Sequence, residues 1–196
     1  MADITNGYAT LAEFKTEKDI SSTDAVDDTS IEDIIEAASR FIDSETGRTF
    51  YARTETRNFD VPRGTRELRL DDDLLTITTL TNGDDNEIAN TEYILLPANV
   101  SPKFAIVLKS TSSTIWQPDS NSGTEQVISV AGTWGWVADH PDNIKRACLM
   151  IATDYYDKRE GQGVTTATVT GAGVVIKAAG VPAAAMKIIR TFRKLT

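Results

Sequence analysis

The stretch SIEDIIEAASRFIDSETGR, residues 30–48, has the pattern of an amphipathic helix. Its apolar residues recur at intervals of three and four, which places them on one helical face. Ser30, followed three residues later by Asp33, approximates a capping box and predicts the start of the helix. Gly47 stands where a helix ends, because glycine adopts the left-handed cap conformation without steric cost. The sequence predicts a long helix near residues 30–47.

A second amphipathic helix is predicted by PDNIKRACLMIATDYYDKREG, residues 141–161. Pro141 suits the start of a helix, since its missing N–H would have no partner there. Apolar residues keep the helical spacing from Ile144 to Tyr155. We expect a helix over residues 141–160 that packs against the first one.

Between these helices the pattern changes to a period of two, which predicts β-strands. Six runs rich in branched and aromatic residues follow one another: TETRNFDV, TRELRL, LLTITTLT, EYILLP, KFAIVLKS and QVISVAGTWGW. Asn82-Gly83 is a turn signal between two of them. We therefore predict an α+β fold, in which a helical core of residues 1–56 and 138–160 carries an inserted antiparallel β subdomain at residues 57–137.

The two ends of the chain carry shorter elements. Thr10 is a plausible N-cap for a short helix, LAEFKTEKDI. Residues 161–180 are rich in Gly, Thr and Ala and have no helical period, so they are expected to form strand only beside a partner edge. Pro182 begins a final helix with an apolar stripe and a basic face. Residues 161–196 are thus expected to be a flexible arm ending in a helix.

The composition limits the class of protein. A chain of 196 residues with 40% hydrophobic content buries one core, or one core with an appendage. No apolar run is long enough for a membrane span, and the N-terminus lacks the pattern of a signal peptide, so synthesis inside the cell is expected. The single cysteine, Cys148, excludes an internal disulfide and is expected to be a buried helix residue.

The net charge of −9 is unevenly distributed. Residues 141–196 hold nine Lys and Arg against four Asp and Glu, a balance of +5, so the first 140 residues carry −14. An acidic body with a basic end indicates different partners at the two ends. It argues against a general DNA-coating protein, which would be basic over a broad face.

Groups that would support catalysis or cofactor binding are scarce. The only histidine, His140, is expected to cap a helix or lie in solvent, and no G-x-S-x-G elbow or phosphate-binding glycine loop occurs. The run of Asp71, Asp72 and Asp73 is expected to be solvated loop charge, since calcium-loop spacing is absent. We expect no enzyme activity, no cofactor and no metal site.

The order of these features resembles the head-to-tail connector (adaptor) proteins of long-tailed bacteriophages. That family pairs a helix ending in Gly-Arg with a later Gly-aromatic strand, a proline, and a helix ending in Tyr and Arg. The corresponding residues here are Gly47, Arg48, Gly132, Trp134, Trp136, Pro141, Tyr155, Tyr156 and Arg159. The resemblance covers roughly residues 11–161.

This resemblance implies a structural virion protein, made in the cytoplasm of the host bacterium and located in the neck. Members of the family form rings, commonly dodecamers, beneath the portal protein. The ring extends the DNA channel, through which double-stranded DNA passes, and joins head to tail. The implied partners are the portal protein, further copies of the chain, and a tail terminator, stopper or other neck protein. No membrane is involved.

The C-terminal arm is the expected portal-docking element, because its last helix has two unlike faces. The apolar candidates for docking are Val174, Val175, Ile176, Ile188, Ile189 and Phe192. The basic candidates for contact with phosphates or an acidic surface are Lys187, Arg190, Arg193 and Lys194. The alternative for the basic set is a solvated helix face.

Two other functions fit the pattern less well. One is another neck or tail component, such as a tail terminator or stopper, which would be dominated by a β-barrel. The other is a ligand-binding module that uses Trp134 and Trp136, with Trp116, as stacking platforms. Trp134 and Trp136 share one face of the predicted strand, but we expect them to pack inside the protein, against the helix that Pro141 begins.

Overall fold

The computed structural model describes residues 4–159, 167–170, 173–176 and 180–194. The chain divides into two compact units. One combines Met1–Gly47 with His140–Thr196 and holds the helices, and the other, Arg48–Asp139, holds a sheet. Helices together with antiparallel strands confirm the predicted α+β class. Within the described ranges, no helix is long and apolar enough to cross a membrane.

The described part of the helical unit contains four helices. They are α1 (Leu11–Glu17), α2 (Asp28–Thr46), α3 (Asp142–Asp157) and α4 (Ala183–Arg190). As predicted, α2 and α3 pack against each other, and α4 packs mainly on α3. The fully buried apolar residues of α2 and α3 follow the helical period: Ile31, Ile35, Ala38, Ile42, Ile144, Ala147, Cys148, Ile151 and Ala152. These residues form the helical core.

The end of α2 is as predicted and its start is not. Gly47 terminates the helix with a φ of 65°, in the left-handed region. The helix begins at Asp28, earlier than expected, with Asp27 at the N-cap. The predicted capping box at Ser30 is wrong, because the Ser30 hydroxyl lies inside the helix and accepts a hydrogen bond from Arg159.

The predicted cap of α1 is confirmed. The Thr10 hydroxyl accepts a hydrogen bond from the Glu13 N–H at 3.2 Å, and the Glu13 carboxylate accepts one from the Thr10 N–H at 2.9 Å. One helical turn later, the buried Lys15 ammonium lies 2.5 Å from an Asp28 carboxylate oxygen. This ion pair ties α1 to the first turn of α2.

The strand unit is a five-stranded antiparallel sheet. Its strands are β1 (Arg53–Phe59), β2 (Glu67–Thr81), β3 (Tyr93–Leu96), β4 (Lys103–Leu108) and β5 (Ile128–Trp134). Their order across the sheet is β1-β5-β2-β4-β3, so that β1 and β3 are its edges. The core lies on one face and includes Phe59, Leu74, Leu80, Ile106, Leu108, Ile128, Val130 and Trp134.

Two of the six predicted strands form a single continuous strand in the structure. The runs TRELRL and LLTITTLT both belong to β2, which continues through the three aspartates between them. The register of β2 against β4 shifts between Arg69 and Leu74, which marks a bulge in the strand. The β-propensity of aspartate is low, so three aspartates inside a strand need compensation from neighbouring groups.

The predicted turn at Asn82-Gly83 is present and fixed by a buried side chain. The Asn82 side-chain oxygen accepts hydrogen bonds from the N–H groups of Gly83 and Gln117, at 3.2 and 2.9 Å. Its side-chain nitrogen donates to the Ile115 carbonyl at 2.9 Å. Asn82 therefore joins the turn after β2 to the loop before β5.

Two further strands form a separate hairpin in the helical unit. They are β6 (Ala167–Thr170) and β7 (Gly173–Ile176), which pair antiparallel with each other. The sequence predicted strand in this stretch only beside a partner edge. Each of the two strands provides that edge for the other.

Candidate assembly surfaces

The terminal helix α4 has one apolar face and one basic face, as its sequence predicts. Ala185 and Ile189 are buried, with exposures of 0% and 1%. Lys187 and Arg190 lie about one turn apart on the exposed side. The subunit itself thus covers the apolar centre of α4 and leaves the two cations to solvent.

The other predicted docking residues differ in their positions. Ile188 and Phe192 are half-buried, and Phe192 follows the last residue of α4. Val174, Val175 and Ile176 lie on β7. Docking to a portal stays a prediction for all of them. Leu195, also part of the expected apolar stripe, lies outside the described residues.

Of the four predicted basic residues, Arg193 uses its charged side chain inside the subunit, and Lys194 contributes a backbone hydrogen bond there. The Lys194 N–H donates to the Thr46 carbonyl at 2.8 Å. The Arg193 guanidinium donates to the Glu45 carbonyl at 3.1 Å and lies 3.4 Å from the Glu45 carboxylate. Since the last carbonyls of a helix have no partner within it, the end of the chain caps the C-terminus of α2. Local sequence gives no signal for this contact.

A neutral apolar surface lies at the β3 edge of the sheet. Tyr93–Leu96 contains no charged residue, and among the described strands β3 pairs with β4 alone. Ile94 on β3 is 45% exposed. In the same hairpin, Val100 and Phe104 are 61% and 52% exposed.

The opposite edge is heavily charged. Arg57 on β1 makes ion pairs with Glu55 at 2.7 Å and with Asp71 at 2.9 Å. Arg53 on the same strand pairs with Asp72 at 2.6 Å. Charges of this kind protect an edge strand against added strands. The two edges of the sheet therefore differ in chemistry.

The aspartate run lies within β2 and not in the expected loop, and of its three residues only Asp71, with a side chain 66% exposed, is solvated as expected. Asp73 is 3% exposed, and both of its carboxylate oxygens lie 2.7 Å from the Arg48 guanidinium. Asp72 accepts hydrogen bonds from Arg53 and Arg57. Each carboxylate of the run faces an arginine, which accounts for its presence within β2.

Trp116 and Trp134 are buried, and Trp136 is half-buried. Trp134 is completely buried, stacks on Phe59 at a ring-centroid distance of 6.1 Å, and donates from Nε1 to the Glu55 carbonyl at 3.1 Å. Its packing is inside the protein as expected, although its neighbours here are residues of the sheet. Trp136 is not on the strand, because β5 ends at Trp134, and the Arg48 guanidinium lies 4.1 Å from its ring centroid. The predicted shared strand face does not exist.

The reactive side chains of the helical unit are also packed. Cys148 is fully buried, and burial raises the pKa of its thiol to about 11. A thiol with this pKa stays protonated at neutral pH. The ring of His140 lies 5.6 Å from that of Tyr8, and the N-cap of α3 is Pro141. Within the described ranges, no group of three His, Cys, Asp or Glu side chains is arranged to hold a metal ion.

The fold is similar to that of proteins in solved particle structures. One is described as the neck of an empty GTA particle computed with C6 symmetry, with a TM-score of 0.65 and 16% identity. Another comes from the virion of a native gene transfer agent (GTA) particle, with a TM-score of 0.62 and 17% identity. Each match covers 100% of this chain and 94% of the other. No curated protein matches the chain.

The family is given by a comparison of the sequence with family profiles. The profile described as "Head completion protein" matches residues 8–195, which is nearly the whole chain. The match includes both units and the terminal helix. It confirms the resemblance to phage head-to-tail connectors drawn from the two helices and the strand between them. This chain belongs to the head completion protein family.

Proposed function

We propose that this protein forms a ring in the neck of a tailed phage or phage-like particle, between the portal and the tail. The observation that carries this proposal is the family match over residues 8–195. The similar chains in a gene transfer agent neck and virion support a neck location. The ring, a dodecamer in this proposal, extends the DNA channel and joins the head to a tail terminator, stopper or other neck protein.

The charge of the chain suits a passage for DNA. The first 140 residues carry −14, and exposed acids such as Asp84, Asp85 and Glu87 lie on the turn after β2. A wall that repels phosphates weakly does not hold DNA, whereas a basic wall would bind it and slow its exit. The acidic body therefore fits a conduit better than a DNA-binding role.

We further propose that the protein is not an enzyme. Its only cysteine has a thiol that stays protonated at neutral pH, and its only histidine packs beside Tyr8. A protonated, buried thiol is not an activated nucleophile, and the family to which the chain belongs is described by a structural role. The chain acts through its surfaces.

The contact with the portal is proposed for the exposed side of α4. Lys187 and Arg190 face solvent, and Ile188 and Phe192 are half-buried beside them. A basic helix with partly exposed apolar residues fits an acidic partner surface with an apolar centre. This part of the proposal depends on charge, so the contact is expected to weaken as salt is raised.

Electron-microscope class averages test the ring and its location. The purified protein is imaged alone and after mixing with heads that carry the cognate portal. A ring with a central channel, or new density on the portal vertex, is the expected result. Monomers that also leave the portal vertex bare would contradict the proposal.

A charge-reversal variant tests the portal contact. Lys187→Glu/Arg190→Glu is expected to lose portal binding while its circular dichroism spectrum stays unchanged, since both side chains are exposed. Arg69→Glu is the matched control, because Arg69 is 86% exposed on the other unit. Unchanged binding by the double variant, together with loss of binding on deletion of residues 161–196, would move the contact away from α4.

A further inference from the structure

We propose that the β6–β7 hairpin of one subunit adds to the β3 edge of a neighbouring subunit and continues its sheet. This inference rests on the proposed ring, and it identifies two surfaces that join its subunits. It is carried by an edge strand without charged residues, Tyr93–Leu96, and by a hairpin that pairs with no third strand in the described residues.

The backbone of β3 is open on one side. Lys109 donates from its N–H to the Glu92 carbonyl at 2.9 Å, which makes them a hydrogen-bonded pair. Such pairs alternate along antiparallel strands, so Ile94 and Leu96 also bond toward β4. Tyr93 and Leu95 therefore direct their N–H and C=O groups away from β4. In the described part of the chain, no strand pairs with that side of β3.

The side chains at this edge favour addition of a strand. Natural sheets block free edges with charges, bulges or prolines, and β1 is blocked by its arginine–carboxylate pairs. Tyr93–Leu96 carries none of these charges. Ile94 on the edge strand and Phe104 on β4 are about half exposed. An added strand would cover apolar surface here without burying an unpaired charge.

The hairpin matches this edge in length and chemistry. β3, β6 and β7 are each four residues long. Residues 161–176 contain no charged residue and are rich in Thr and Val, which favour strands. An isolated two-stranded hairpin is only marginally stable in water, whereas addition to a larger sheet completes it. In the described residues the hairpin is a sheet of its own, so both of its outer edges are available to a strand of another chain.

A contact between two unlike surfaces is compatible with a closed ring. The donor hairpin and the acceptor edge are different parts of the chain, so each subunit gives one and receives one. Contacts between unlike surfaces are head-to-tail, and they close into a ring when the rotation between subunits allows it. A second copy of this chain is therefore the expected occupant of the edge, and a strand of another neck protein is an outcome that the experiment separates.

Cysteine cross-linking between separately made proteins tests the contact. Ile94→Cys protein is mixed with Val175→Cys protein and treated with a short bis-maleimide. Cross-linked heterodimers are the expected result. The wild type gives the background, because Cys148 is buried. Thr54→Cys on the β1 edge, mixed with Val175→Cys, is the matched control and is expected to cross-link at least tenfold less.

A blocking variant supplies a second readout. Ile94→Lys introduces lysine, a residue that natural sheets use to protect edge strands. Because Ile94 is 45% exposed, the subunit is expected to fold. Ring assembly is expected to be lost in electron micrographs. Thr54→Lys is expected to assemble like the wild type.

The outcomes separate this inference from the proposed ring. Rings that form without the 94–175 cross-link, and that persist in Ile94→Lys, would overturn the hairpin contact and leave the ring intact. Cross-linked heterodimers that form no closed rings and leave the portal vertex bare would support the contact and contradict the ring. A cross-link from Val175→Cys only to the portal or another neck protein would overturn the assignment to a second copy.

Discussion

At the scale of single residues, the stability of the strand unit depends on a buried ion pair, in which Arg48 neutralises the Asp73 carboxylate. The side chains of Arg48 and Asp73 are 15% and 4% exposed. Arg48→Ala is expected to lower the free energy of unfolding by about 3–5 kcal/mol, because it leaves a buried carboxylate without a partner. Urea unfolding followed by tryptophan fluorescence measures the loss, since all three tryptophans belong to this unit.

Exposed charges provide the control for this variant. Arg69, 86% exposed and paired with Glu67, is expected to change stability by less than about 0.5 kcal/mol when replaced by Ala. If Arg48→Ala and Arg69→Ala lowered the free energy of unfolding equally, burial would not explain the contribution of the Arg48–Asp73 pair to stability.

Gly132 gives a second residue-scale prediction. A Cβ atom placed there would lie 2.2 Å from the Thr76 carbonyl oxygen, where the β2 register against β5 shifts. Gly132→Ala is therefore expected to destabilise the strand unit by at least about 2 kcal/mol, because backbone must move to admit the methyl group. The same fluorescence measurement checks it. A free energy of unfolding within error of the wild type would show that the backbone at the bulge moves at little cost. Gly64→Ala is the control. Gly64 has a φ of +66° but open space around it, so this variant introduces backbone strain without a steric clash.

At the scale of elements, the helices follow from local signals. The capping box of α1 is encoded within four residues, and Thr10→Ala is expected to cost about 1 kcal/mol. Thermal unfolding followed by circular dichroism at 222 nm measures it. Thr16, exposed in the same helix, is the control, since alanine has the higher helix propensity and Thr16→Ala is expected to be neutral or slightly stabilising. A loss at Thr16 as large as at Thr10 would contradict a capping role.

Elements that depend on distant partners could not be predicted in the same way. The period of two predicts strands on both sides of Asp71–Asp73, but the continuity of β2 depends on Arg48, Arg53 and Arg57, which come earlier in the chain. Likewise, the two faces of α4 follow from its period. The use of Arg193 at the end of α2 joins residues 148 positions apart, and no local pattern encodes it.

At the scale of the whole molecule, the order of elements was sufficient to predict the fold class and the family. The exposed β3 edge was not predicted. The run EYILLP predicts a strand, but it does not predict the position of that strand in the sheet. That place depends on the pairing of β3 with β4 and of β4 with β2. Which apolar residues a sheet leaves uncovered is therefore a property of its topology.

The distribution of charge gives a prediction for the assembled protein. With a net charge of −9, the protein is expected to show no retention of double-stranded DNA in a gel-shift measurement at about 0.15 M salt. The Lys187→Glu/Arg190→Glu variant is the control for residual contact by α4. A stable complex of the wild type with DNA that this variant abolishes would indicate a phosphate-binding role and contradict the weakly repelling channel.

The bonds from Arg193 and Lys194 to Glu45 and Thr46 have a mechanical consequence. They fasten the end of the chain to the helix at the centre of its own unit. If the proposed portal contact of α4 is correct, a pull on this helix would reach α2 through these bonds and α3 through packing. The terminal helix is thus fastened through Arg193 and Lys194 to another helix of its own unit, and a pulling force would act on α2 at these bonds.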